Sequence, residues 1–233
     1  TYALSLNTAV SGRSRGKGVF TRLGRTVVER AREEGITALI GVSNAESTHG
    51  MVKSLGFQLL GTLPVVVVPP SAPRRARIFD LGTAEEMSAW YHEVRRTCGG
   101  VPGPQREWDA EELLWRIADP VHDYQVLISD DVLAVTHATS YHGLRVAVIV
   151  KVFVRDPTVS INITHVATAA CKALRAPMAL YAGLNPNLRL GGLKIPTRLR
   201  PSPLNLIVKP LVEDMKPSEL VPDWFEFLDF DAY

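Results

Sequence analysis

Between a strand-like run and a helical stripe the chain reads VSGRSRGKGVFTRL, Val10 to Leu23. Upstream, Tyr2 to Val10 alternates aromatic and branched residues with small polar ones, the pattern of a strand. Downstream, Phe20, Leu23, Gly24, Val27, Val28 and Ala31 recur at helical spacing with Arg and Glu on the opposite face, and Gly35 is the expected stop. A basic, glycine-rich loop between a strand and a helix suits anions. Its glycines let backbone N–H groups converge, and a helix start leaves N–H groups unbonded and carries partial positive charge. Arg15-Gly16-Lys17-Gly18-Val19-Phe20 therefore reads as a phosphate or pyrophosphate loop. It is not a Walker loop, since the Lys-Ser/Thr pair is missing, nor GxGxxG, since Thr21 stands where the third glycine belongs. By itself the string suits an exposed basic turn equally well, and its surroundings must decide.

Working outward, Thr37 to Val42 reads as a buried strand, Ser47 to Leu55 as a short helix, and Gln58 to Pro69 as one extended segment with four consecutive valines. Pro69, Pro70 and Pro73 with Arg74, Arg75 and Arg77 mark a linker, which places a boundary near residue 72 and gives domains 1–72 and 73–233. Beyond it come helices over Thr83–Thr97 and Asp109–Ala118, strands over Tyr124–Thr139 (broken at Ser129 to Asp131) and Leu144–Val154, and a helical stripe from Ile163 to Leu174. A strand over Met178–Leu184 and two extended runs, Leu204–Val208 and Trp224–Phe230, close the chain. Asp229 and Asp231, alternating with the aromatic residues of that last run, are expected to face solvent or an acceptor. The fold class is α/β, an α+β mixed sheet, in two halves that share an element order without a residue-level repeat.

Composition narrows the function. At 233 residues, 46% hydrophobic and 21% charged, the chain is globular, and 26 Lys plus Arg against 24 Asp plus Glu leave a net charge of only +2. A main task of neutralising nucleic acid is excluded on that balance, and the basic loop also lacks interleaved aromatics. Cys98 and Cys171 are far apart and form no CxxC, His137 and His142 lack a third ligand in spacing, and no metal site is expected. No apolar run approaches the roughly 20 residues that span a bilayer, so no membrane partner is expected and the cytoplasm is the expected compartment. The chain begins at Thr1 with a strand, which raises the expectation of an N-terminal part that precedes it.

Val10 to Leu23 resembles motif A of the GCN5-related (GNAT) N-acyltransferases, a Q/R-x-x-G-x-G/A loop that grips the pyrophosphate of coenzyme A. Arg15 and Gly18 match, and Phe20 stands in place of the final Gly or Ala. Asn44-Ala45-Glu46-Ser47, Lys53 and Leu55-Gly56-Phe57 are similar to motif B of the same family. The resemblance covers residues 1–69. It implies two splayed strands with an acyl-pantetheine arm between them, a first GNAT-like half short of its N-terminal strands, and a degenerate second half. Thr8 and Val10 would offer backbone groups to pantetheine, the amides of Arg15, Gly16, Lys17, Gly18, Val19 and Phe20 would hold the pyrophosphate, and Asn44 would face the arm.

The activity so implied is transfer of an acetyl or other acyl group from coenzyme A to an amine, with a homodimer as one expected assembly. Acetyl-CoA or another acyl-CoA is the expected co-substrate, and the alternative is a protein that binds or senses acyl-CoA without turnover. The family's tyrosine acid aligns with Val52, and no carboxylate lies in the strand before the loop. Glu46 and His49 are the nearest titratable groups, an exposed helix histidine being the other reading of His49. In the second half Arg155-Asp156-Pro157-Thr158 replaces the glycines. A carboxylate and a proline without N–H stand where phosphate needs donors, so no cofactor is expected there, and Asp156 or Thr158 is expected to begin the helix that runs to about Leu174.

Overall fold

The computed structural model describes residues 1–5, 10–71, 78–98 and 106–230. In chain order its elements are β1 (Tyr2–Leu4), α1 (Val19–Glu33), β2 (Ala38–Ser43), α2 (Ala45–Leu55), β3 (Gln58–Thr62), β4 (Val65–Val68) and β5 (Asp80–Gly82). There follow α3 (Ala84–Cys98), α4 (Ala110–Ile117), β6 (Tyr124–Ile128), β7 (Val132–Tyr141), β8 (Leu144–Val154), β9 (Ile161–Asn162) and α5 (Ile163–Leu174). The last are β10 (Ala179–Leu184), β11 (Leu188–Arg189), β12 (Leu193–Lys194), β13 (Asn205–Pro210) and β14 (Phe225–Glu226). The sheets are mixed, as the α/β expectation requires.

The chain forms two compact units. Unit one is Thr1–Leu63 with Pro196–Val221, and unit two is Pro64–Ile195 with Pro222–Tyr233. The division is not the single cut near residue 72 expected from the proline run. The 58–69 segment is two strands, divided at Leu63 and Pro64, because proline cannot donate to a ladder. Arg74, Arg75, Arg77 and Asp231 lie outside the described residues.

Unit one holds a four-stranded sheet in the order β1-β2-β13-β3. β1 and β2 are parallel, with Tyr2 opposite Ala38 and Leu4 opposite Ile40, and α1 is their crossover. β13 pairs antiparallel with all of β2, Asn205 opposite Ser43 and Pro210 opposite Ala38. The core gathers Val28 and Ala31 of α1, Leu39 of β2, Met51 and Leu55 of α2, Phe57 and Ile207. The α1 stripe is narrower than its spacing suggests. Phe20, Val28 and Ala31 turn inward, whereas Leu23 is 49% and Val27 55% exposed. α1 and α2 meet through glycines. A Cβ on Gly24 would collide with Leu55, and one on Gly50 would lie 2.9 Å from the Phe20 ring.

Unit two has one parallel strand pair in its eight-stranded sheet, β8 with β10, and α5 is the crossover between them. The sheet runs β12-β4-β10-β8-β7-β6-β5, with β14 added on β10. Ile163, Val166, Ala167, Ala170, Cys171 and Leu174, all buried, form the inward stripe of α5 that the spacing predicts. The final aromatic run departs from expectation. Only Phe225 and Glu226 are strand, Phe227–Phe230 is a 3-10 turn, and Asp229 is fully buried rather than facing solvent. Its side chain accepts three hydrogen bonds, from Trp108 Nε1, Lys151 Nζ and the Glu226 amide, all at 2.7 Å.

Candidate functional site

The basic loop of unit one enters α1 without a capping side chain. Gly12–Ser14 form a short 3-10 turn, and Gly16 (φ 76) and Gly18 (φ 69) adopt the left-handed conformation that L side chains disfavour. Gly18 is the N-cap, and the first helical bond runs from the Arg22 amide to Gly18 O at 3.0 Å. The amides of Gly18, Val19, Phe20 and Thr21 have no partner among the described residues. No acidic residue sits in the first turn, and Arg15, Gly16, Lys17 and Gly18 are exposed. The missing cap forgoes about 1 kcal/mol. Burial of Leu55 alone contributes about 1.5–3 kcal/mol, so packing holds the helix while its donors stay open. Chemically, unbonded N–H groups at a positive helix end with flanking Arg and Lys form an arrangement that could cradle an anion.

Phe20 takes no part through its ring, which is spent against Gly50; only its amide belongs to the cradle. Val10 is half-buried beside the loop, and Thr8 lies outside the described residues. Asn44 caps α2. Its Oδ1 accepts from the Ser47 amide at 2.8 Å and from Ser47 Oγ at 2.9 Å, leaving Nδ2 without a partner among the described residues. Glu46 and His49 are both exposed, with no hydrogen-bond or ion partner among the described residues.

One group of contacts at this end of β2 has no signature in the sequence. Thr48 Oγ1 donates to Asn44 O, lies 2.8 Å from Ser43 Oγ and accepts from Asn205 Nδ2 at 2.8 Å. Asn205 belongs to β13, 157 residues later. It ties the start of α2 to the strand ends, and no local pattern announces a partner so distant.

The corresponding region of unit two is closed. α5 is capped by Asn162, whose Oδ1 accepts from the Thr164 amide at 3.0 Å; neither Asp156 nor Thr158 begins the helix. Asp156 instead accepts from the Thr158 amide and hydroxyl in a turn, and those bonds hold its carboxyl below the usual range. Asn187 Nδ2 donates to Pro157 O and Val159 O, and β11 pairs with β9 at the helix entrance. Among the described residues no group of His, Cys, Asp and Glu is placed to hold a metal, and no helix is long and apolar enough to cross a membrane.

No family model matches this sequence, and no curated protein matches it. Solved structures do. A GCN5-related N-acetyltransferase from Anabaena variabilis aligns over 88% of this chain and 54% of its own, at 9% identity and a TM-score of 0.54. One from Kribbella flavida aligns over 90% and 52%, at 14% identity and 0.54. Eis1 from Mycobacterium abscessus aligns over 90% and 57%, at 12% identity and 0.50. The chain has the fold of the GCN5-related N-acetyltransferases. It spans about half the length of these structures.

Proposed function

We propose that the protein is an acyl-CoA-dependent N-acyltransferase in which unit one carries the cofactor site and unit two is a degenerate half without one. The observation that supports this most is the uncapped start of α1, with four free amides beside Arg15 and Lys17, in a chain of this fold. The pyrophosphate of coenzyme A is matched by the amides of Gly18 to Thr21 and by the charges of Arg15 and Lys17. Val10 offers backbone groups to the pantetheine amides, a role the resemblance also gives to Thr8, which lies outside the described residues, and the Nδ2 of Asn44, without a partner among the described residues, is a donor toward the arm.

In the reaction the acceptor's neutral amine attacks the thioester carbonyl. The C–N bond forms as C–S breaks, the amine gives up one proton, and the sulfur leaves as thiolate to be protonated. His49 is the candidate base and Glu46 its neighbour, and the acceptor is an amine of unassigned identity. No nucleic-acid or membrane partner and no metal enter this reading, the compartment is the cytoplasm, and a homodimer is compatible with it.

A second reading, acyl-CoA binding or sensing without turnover, is favoured by one specific feature. Val52 stands where the family's tyrosine acid aligns, and Glu46 and His49 are exposed and unpartnered among the described residues. Thiol release from acetyl-CoA separates the two. The enzyme reading expects free thiol only when an amine is added, at a rate that rises as the amine deprotonates. Tight binding with no thiol release across primary, secondary and aromatic amines selects the sensor.

A further inference from the structure

The parallel pairing of β8 with β10 stops early. It joins Ala147, Val148 and Ile149 to Ala179, Leu180 and Tyr181, and no pair follows. At that point β8 carries a bulge: Val135 faces Lys151 and Thr136 faces Ile149, leaving Val150 as the extra residue. A bulge bends its strand, and here it coincides with the end of the β8–β10 ladder. Beyond it the main chain of each strand finds its partners in side chains and in the C-terminal segment. β14 pairs with Gly183 and Leu184 of β10. The Val152 amide donates to Glu226 Oε2 at 3.4 Å, and Val152 O accepts from Asn185 Nδ2 at 3.1 Å.

We infer that the segment Trp224–Phe230 is an intramolecular latch that fills the opening between β8 and β10, and that the protonation of Glu226 sets how tightly it docks. The Glu226 carboxyl group is the fastening. It faces Lys151 from β8 (3.2 Å), the Tyr181 hydroxyl from β10 (2.9 Å) and, within its own segment, Asp229. Asp229 in turn holds Lys151 and Trp108 Nε1, and Arg106 reaches its main-chain oxygen. One buried cation thus meets two buried carboxylates, and the group is neutral only while one carboxyl keeps its proton. Burial pushes Glu226 up to about 7, against the opposing pull of Lys151. Burial alone would discharge Lys151, but Asp229 and then Glu226 hold its pKa above the ordinary value, so the cation persists. Trp224 Nε1 is buried and has no acceptor among the described residues.

A carboxyl whose pKa rises from 4.5 to about 7 on docking binds a proton in the docked state that the released state has lost. Docking is therefore strongest below pH 4.5, weakens by about tenfold per pH unit up to about 7, and is level above. Release leaves the Val152 amide and the main chain of Leu184 open between two strands, donors and acceptors suited to an extended amide-bearing chain, while the Gly183 amide stays on Pro64 O at 3.2 Å. The latch is a property of unit two alone and does not depend on the acyl-CoA reading of unit one.

Amide hydrogen exchange on the full chain tests it without any cofactor. Protection factors at Val152 and Glu226, whose amides both donate to carboxylates of the segment, should fall by on the order of 10²-fold between pH 5 and pH 8. Those at Leu39 and Ile40 of β2 should hold. Glu226→Gln should abolish the slope. Tyr181→Phe, which removes a hydrogen bond favouring the charged carboxylate, should move the midpoint upward. If Glu226→Gln does not fold, the wild-type series and Tyr181→Phe decide. The latch is overturned by pH-independent protection, by an unchanged slope in Glu226→Gln, or by a parallel loss at β2 that signals global unfolding.

Discussion

Each unit contains one strand–helix–strand crossover whose strands pair in parallel, β1–α1–β2 and β8–α5–β10, and the two differ at the helix entrance. In the first, glycines in the left-handed region bring the chain into α1 with four amides unspent. In the second, Asn162 consumes an amide, Asp156 and Asn187 tie down the approach, and the segment after Pro222 occupies the space between the strands. The same local topology thus yields an open anion cradle or a sealed structural unit, and the choice is made by a handful of loop residues and one distant strand. Fold alone would not have separated them.

The comparison can be broken most severely at the sealed end. Lys151→Ala leaves Glu226 and Asp229 buried without their cation and should cost about 3–5 kcal/mol of stability. Urea unfolding at pH 7 reads this as a lowered midpoint, and an unchanged midpoint would mean the cluster does not hold unit two together. At the open end, Arg15→Ala should weaken acetyl-CoA binding by about 10–100-fold, the loss of a charge-assisted contact of about 1.5–3 kcal/mol, and the difference should shrink with added salt. Arg155→Ala, at the matching position after β8, should leave affinity unchanged. The smallest effect sharpens the contrast: Asn162→Ala removes the cap of α5 and should cost about 1 kcal/mol without creating a second cofactor site, because Asn187 and β11 still close the entrance. A new binding isotherm in that variant would show that the cap alone seals unit two.

Local pattern carried the elements that local forces decide. The stripe of α5, the β6–β7 break at Ser129 to Asp131 and the loop before α1 are all legible because periodicity and glycine chemistry act over a few residues. What was not legible is non-local. β13 completes the sheet of unit one from more than 160 residues away, and Asn205 joins Thr48 through it. Asp229 alternates with aromatic residues as a solvent-facing strand residue would, yet it is buried because Trp108 and Lys151 meet it, neither of them within 70 positions. Leu23 and Val27 fit the helical stripe but lie exposed, because Gly24 and Gly50 set where α1 and α2 touch. Asn162 is the cap of α5, where Asp156 or Thr158 was expected to begin the helix.

The proposed function requires one cofactor cradle per chain, at the start of α1. Titration calorimetry of the full chain with acetyl-CoA, wild type beside Gly18→Asp, tests that most directly. Gly18→Asp puts a side chain on a residue at φ 69 and a carboxylate against the four free amides. The expected result is one site per chain in the wild type and loss of measurable binding in a variant that keeps its near-UV circular dichroism. Two equivalent sites, or unaltered affinity in Gly18→Asp, would contradict it.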